Sequence, residues 1–262
     1  MGAFILIYGA AAYAVFLAAF LYAIAFLFDV YMPVTVDGPL RAPAMNAALI
    51  DALLLGAFAL QHSIMARPAF KRWWTTIIPT SIERSTYVLT TSVLLLAIFT
   101  SWQPIEAPVW DLRGTLVGSL LRAVAALGWL VVLASTFMIS HFELFGLKQI
   151  WYAARQRALP GRVFRQTLFY RLVRHPLMTG FLIAFWATPR MTLGHLVFAG
   201  LSTGYIVVGT LLEERDLLAH FGAVYERYRR NVPMLIPFTK RPLADRTHGT
   251  SPSVAGSENG AR

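Results

Sequence analysis

The chain has 262 residues, 57% of them hydrophobic and only 14% charged, and its mean hydropathy of +0.57 lies far above that of soluble domains. A net charge of +10 and a pI of about 10.3 would point to nucleic acid in a soluble protein, but here the basic residues fall in loops between apolar runs. Membrane topology accounts for them, and no nucleic-acid partner is expected. There is no cysteine, which excludes disulfides, thiolate metal sites and a cysteine nucleophile and leaves His, Glu, Asp, Tyr and Arg to carry chemistry.

In chain order, apolar runs at 3–28, 46–65, 86–102, 116–140, 176–188 and 192–212 predict helices in lipid, since about 18 apolar residues cross a hydrocarbon core. Their apolarity is uniform rather than confined to one stripe. The first run has neither a basic leading region nor a small-residue cleavage site, so it reads as a retained helix. The fifth, at about 13 residues, is too short alone at 1.5 Å per residue. It must tilt, extend through 171–175, or form half of a hairpin turned at Thr188-Pro189-Arg190.

Loop charge sets the expected orientation. Loop 66–84 holds Arg67, Lys71, Arg72 and Arg84, and loop 141–175 holds Lys148, Arg155, Arg157, Arg162, Arg165, Arg171 and Arg174, so both are placed on the cytoplasmic side. Loops 29–45 and 103–115 carry Arg41 and Arg113 against Asp29, Asp37, Glu106 and Asp111, as expected outside. With six crossings both termini lie in the cytoplasm, in a bacterial inner membrane. The expected fold is an all-α polytopic membrane helix bundle of five or six transmembrane helices, with a C-terminal helical hairpin and a cytoplasmic cofactor-binding segment. Its organisation is a four-helix membrane region at 1–140, a loop, hairpin and cofactor core at 141–240, and a disordered Ser/Gly/Pro-rich tail at 241–262. The long loop should fold over the cytoplasmic face through a basic amphipathic stretch at 148–158.

Three segments could carry chemistry. In Tyr170-Arg-Leu-Val-Arg174-His175-Pro176-Leu-Met178-Thr-Gly180, Pro176 suits a first helical turn and leaves Arg174 and His175 just before it, where they could meet a carboxylate or an electron-rich ring, or serve as interfacial anchors. Glu213-Glu214-Arg215-Asp216 closes an apolar run on the same side. Acids at a helix C-terminus oppose its dipole unless the helix runs on or they bind a cation. Tyr225 and Tyr228 share a helical face after Gly222, and Val232-Pro233 and Ile236-Pro237 force an extended exit, so this segment should lie across the site.

Arg174-His175-Pro176 with Gly180, followed after a hairpin by Glu213-Glu214, Leu217, Phe221-Gly222, Tyr225, Tyr228, Val232-Pro233 and Pro237, resembles the isoprenylcysteine carboxyl methyltransferase and phospholipid methyltransferase superfamily over about residues 170–238. Met178 stands where that first motif has Tyr. Upstream, Gln61-His62-Ser63-Ile-Met-Ala-Arg67-Pro68, Glu83-Arg84-Ser85-Thr86-Tyr87 and His141-Phe142-Glu143-Leu144-Phe145-Gly146-Leu147 look like the membrane methanethiol S-methyltransferases. The resemblance implies a small thiol acceptor and S-adenosylmethionine, held by Arg174, His175, Pro176, Gly180, Glu213, Glu214, Tyr225 and Tyr228. In that reading Glu214 meets the cofactor ammonium, while Glu213 could hold Arg174 or another basic residue, and the choice between the two glutamates stays open.

A thiol must lose its proton before it attacks, and His62, His141, Glu83 and Glu143 are the candidates to take it. Two alternatives remain open at this level: another methyl acceptor, such as a prenylcysteine carboxylate, a lipid amine or a longer thiol, or a non-enzymatic haem carrier ligated by His62 and His141. No metal site is expected, because neither HExxH nor a comparable His cluster occurs, and no GxGxxG turn follows a strand. The oligomeric state is not legible.

Overall fold

The computed structural model describes residues 2–161 and 167–239. The expected tail at 241–262, and Arg162 and Arg165 of the long basic loop, lie outside the described residues. The elements in order are α1 (Gly2–Phe28), α2 (Ala44–Ala66), α3 (Pro68–Trp74), α4 (Thr80–Ser101), β1 (Pro108–Asp111), α5 (Leu116–Ile139), α6 (His141–Leu144), α7 (Leu147–Ala154), a 3-10 turn (Leu168–Arg171), α8 (Pro176–Trp186), β2 (Arg190–Thr192), α9 (Leu193–Phe221) and α10 (Ala223–Asn231). Among the described residues five helices, α1, α2, α4, α5 and α9, are long and apolar enough to cross a membrane. The protein is an all-α polytopic membrane bundle.

Helix α5 shows how the spans divide their surfaces. Leu120, Leu127 and Leu130 point outward, where lipid supplies their solvent, while Ala125, Gly128, Trp129 and Val132 are buried. Small residues on the buried side let α8 lie against α5 backbone to backbone. A Cβ placed on Gly128 would stand 2.8 Å from the Gly180 carbonyl oxygen, and one on Gly180 would stand 2.8 Å from that of Gly128. This contact supports a helix that cannot span on its own: eleven residues rise only about 16 Å. Helix α8 is one arm of a hairpin with α9, the last of the three arrangements its length allowed.

The hairpin turn is closed at the bundle end opposite Arg174. Thr188 Oγ1 donates to the Arg190 carbonyl at 2.7 Å, and β2 pairs antiparallel with β1, Asp111 opposite Arg190. Below it Asp37, read from the sequence as a charge of an outer-side loop, is buried. Its Oδ1 accepts from Thr192 Oγ1 at 2.7 Å and its Oδ2 lies 2.9 Å from His195 Nδ1, which fixes the start of α9. Aromatic packing of Phe26, Phe99, Trp102, Trp129, Phe185 and Phe198 fills the bundle between the two ends.

Two local readings are refined. Glu213-Glu214 does not close its helix, because α9 runs on to Phe221 and stops where Gly222 turns at φ +55. The unfavourable position at a helix C-terminus is thus avoided by the first of the physical routes available, continuation. The long loop does carry an amphipathic helix, but it covers Leu147–Ala154 and ends before 158. It is entered through Gly146 at φ +86, where a Cβ would come 2.6 Å from Ser85 Oγ.

Candidate active site

The polar centre is assembled where α8 begins. Arg174 and His175 are about nine-tenths buried there, and so is Glu214 of α9. Arg174 Nε donates to Glu214 Oε1 at 2.6 Å, and His175 Nε2 lies 3.2 Å from the same oxygen. The guanidinium also donates to the carbonyls of Arg229, at 3.0 Å, and Val232. A buried charge needs this degree of pairing. The chain after α10 then doubles back over the cluster: the Arg174 amide donates to Pro233 O at 2.8 Å, that of His175 to Met234 O at 3.1 Å, and Thr179 Oγ1 to Leu235 O at 2.7 Å.

Tyr225 and Tyr228 are both buried in α10, facing this centre, and Tyr228 donates to the Tyr170 carbonyl at 2.6 Å. Burial raises the Tyr225 phenol, with the charge of Glu214 adding to it, and burial likewise raises Tyr228. Both therefore stay protonated hydrogen-bond donors. Glu213 differs from its neighbour. Its side chain is 50% exposed and its Oε2 lies 3.6 Å from His175 Nδ1. It is within electrostatic reach of Tyr170, whose phenol is raised by burial first and by this carboxylate second, and of Tyr87 on α4. Pro176 is buried at the first turn of α8, and Gly180 faces α5 rather than the polar cluster.

The four proton-acceptor candidates gather at the same end. His62, one turn from the end of α2, has Tyr87 Oη 2.7 Å from Nε2 and 3.1 Å from Nδ1, and Thr91 Oγ1 3.3 Å from Nδ1. His141 is buried, with Tyr13 Oη 2.8 Å from Nε2 and Thr136 Oγ1 2.8 Å from Nδ1, and its ring stacks on Phe137 at 4.2 Å. Phe145 joins the two, packing on both His141 and Tyr87. Glu83 and Glu143 sit at the rim, 3.5 Å from Lys71 Nζ and 2.8 Å from Lys148 Nζ. The ring nitrogens of His62 and of His141 all lie within hydrogen-bond reach of hydroxyl groups, which orient both rings. Asp216 pins this end together through Arg67 at 3.0 Å. Tyr87 and Tyr170 stand in motifs read from the sequence without a role of their own, and Tyr205, in the middle of α9, carries no local signal that sets it apart from a packing residue.

Burial holds the His141 ring below the ordinary histidine pKa, so it is neutral at pH 7. The folded state refuses a proton that the unfolded chain accepts near about 6.5, so this contribution to stability is complete above that pH and lost below it. His141→Gln is expected to flatten the acid side of the stability profile, read as thermal unfolding in detergent between about pH 5 and 8.

A bundle built for lipid, sheltering acids, bases and phenols at one end, has the architecture of an integral membrane enzyme. No family model and no solved structure matches the chain. It is 54% identical over 236 residues to the methanethiol S-methyltransferase of Mycobacterium tuberculosis, covering 90% of this chain and 97% of that protein. It is 51% identical over 244 residues to methanethiol S-methyltransferase 2 of Bradyrhizobium diazoefficiens, covering 92% and 94%. The methanethiol S-methyltransferase of Crocosphaera subtropica is 48% identical over 235 residues, covering 90% and 92%. The chain belongs to the methanethiol S-methyltransferase family, and it is a methyltransferase.

Proposed function

We propose that the protein methylates methanethiol to dimethyl sulfide with S-adenosylmethionine at the cytoplasmic face of a bacterial inner membrane, both termini being cytoplasmic. The observation that carries the reading is near-complete coverage, at about half identity, by proteins named for that acceptor. S-adenosylmethionine supplies an electrophilic methyl group on a sulfonium together with an ammonium and a carboxylate. The donor set fits it. Glu214 is consumed by Arg174 and His175, whereas half-exposed Glu213 is available to an ammonium beside the same cluster. Arg174 and His175 stand beside it as N–H donors toward the cofactor's carboxylate, Pro176 sets the entry of α8, and Gly180 lets α8 sit close enough to α5 to hold them. Tyr225 and Tyr228 close the pocket from α10.

The enzyme's work is then positioning and proton removal. The acceptor thiol gives its proton to a histidine of the aromatic cluster, His62 or His141, with Glu83 and Glu143 holding the basic rim. The resulting thiolate takes the methyl group in line, and the electrons of the broken bond stay on the sulfonium sulfur. Lipid is the natural route for a small uncharged thiol.

Headspace gas chromatography of membranes supplied with S-adenosylmethionine and methanethiol tests the reaction. Dimethyl sulfide from the wild type and none from membranes lacking the protein is the expected result; no product, with cofactor binding intact, would move the acceptor to a longer thiol, a prenylcysteine carboxylate or a lipid amine. Glu213→Gln is expected to weaken S-adenosylmethionine by about 10- to 100-fold, the worth of one charge-assisted hydrogen bond, without changing the melting temperature. Equilibrium titration of the purified variant reads this directly.

A further inference from the structure

We infer that Phe58 and His62 of α2, Tyr87 of α4 and Tyr205 of α9 form the seat of the acceptor thiol, with Phe58 and Tyr205 setting the size it admits. This rests on the reaction proposed above and adds to it the place and the limit of the acceptor. The His62 ring is enclosed by the other three: Phe58 stacks at 5.3 Å between centroids, Tyr87 lies at 5.0 Å, and Tyr205 stands edge-on at 6.2 Å and also meets Phe58 at 5.7 Å. Such rings suit a polarizable sulfur with one methyl group, and the Arg84 guanidinium, 5.0 Å from the Tyr87 ring centre, adds positive charge beside a forming thiolate.

The cage also has an entrance and a neighbour. His62, Phe58 and Tyr205 are all partly exposed, and α2 is the least buried of the five spans, so the cage opens on the lipid side of the bundle. Tyr205 lies on the same helix as Glu213, and Tyr87 is within electrostatic reach of that carboxylate. The acceptor would therefore sit between lipid and the cofactor cluster. The alternative histidine, His141, is closed over by Phe137, Phe142 and Phe145 and is itself buried.

The hydrogen bonds give the proton a path. With Nδ1–H donated to Thr91, the His62 Nε2 lone pair accepts from Tyr87 Oη. As the thiol S–H bond breaks, its proton passes to the Tyr87 oxygen while the Tyr87 proton moves to His62 Nε2. The thiolate forms the new C–S bond, the donor's S–CH3 bond breaks with its electrons remaining on the former sulfonium, and the imidazolium later returns its proton to solvent. Tyr87 and His62 are thus catalytic residues, and Phe58 and Tyr205 set specificity.

The test compares kcat/KM for methanethiol, ethanethiol and 1-propanethiol in the wild type, Phe58→Ala, Phe58→Leu, Tyr205→Ala and Tyr87→Phe, with S-adenosylmethionine binding titrated on each purified protein. In the alanine variants the ratio of ethanethiol to methanethiol should rise by at least about tenfold, the discrimination a pocket draws from one methylene, with Phe58→Leu intermediate. Tyr87→Phe should lower kcat with cofactor binding unchanged. An unmoved ratio in variants that still bind cofactor overturns the seat, as does loss of cofactor binding in a folded Phe58→Leu, which would give the cage to the cofactor. If the wild type binds cofactor and methylates no thiol, the proposed reaction itself has failed and the seat falls with it.

Discussion

Glu214→Ala is expected to destabilise the protein by about 3–5 kcal/mol, the cost of leaving a buried cation without its partner. The guanidinium of Arg174 would keep its bonds to the carbonyls of Arg229 and Val232 but lose its carboxylate partner, and His175 would lose the oxygen 3.2 Å from its Nε2. Because those carbonyls belong to α10 and the chain after it, the loss should loosen the closing segment along with the cluster. Denaturant unfolding in detergent measures it. Arg174→Met combined with Glu214→Leu should be less damaging than Glu214→Ala alone, since the pair removes both charges together. Loss of cofactor binding in Glu214→Ala therefore reports collapse of the site, and Glu213→Gln is the cleaner probe of ligand contact. A stability unchanged in Glu214→Ala would show that the carboxylate is not tied up as the geometry has it.

Gly128→Leu should be the second large effect. Its Cβ would meet the Gly180 carbonyl and the Ala184 amide nitrogen, each at 2.8 Å, and these are backbone atoms that cannot rotate away. Overpacking of this kind costs at least about 1–3 kcal/mol, and relief requires moving α8 off α5. Since Arg174 and His175 are the two residues leading into α8, activity should fall even where the protein still inserts. Gly56→Leu is the control, because a Cβ there meets nothing within 4 Å. Parallel melting curves and turnover separate the two; equal behaviour would mean that the α5–α8 contact does not position the site.

Much of this was legible in the sequence for definite reasons. Uniform apolar runs announce spans, and 176–188 was too short to cross alone, which left a tilt, an extension or a hairpin, and α8 and α9 form the hairpin. Arg174-His175-Pro176 and the tyrosine pair were readable because a proline fixes a helix start and a three-residue spacing fixes a face. Which glutamate faces inward was not. Neighbours on a helix point about 100° apart, and only the packing of α10 decides that Glu214 is buried while Glu213 stays half exposed. The bond between Asp37 and His195 joins residues 158 positions apart, so no local pattern could announce it. His62 and Tyr87 come from separate helices, and their meeting depends on the crossing of α2 and α4.

The main-chain bonds that bring Pro233 and Met234 back to Arg174 and His175 also impose an order on biogenesis. Every membrane span is synthesised before residue 232 exists, so insertion into the bilayer is complete in principle while the catalytic end is still open. If the cluster at the start of α8 is the cofactor site proposed above, competence waits for residues 233–235 to fold back onto a helix start made some sixty residues earlier. On that site, arriving in the membrane and becoming active are separate events, and a nascent chain passes through the first before it is capable of the second.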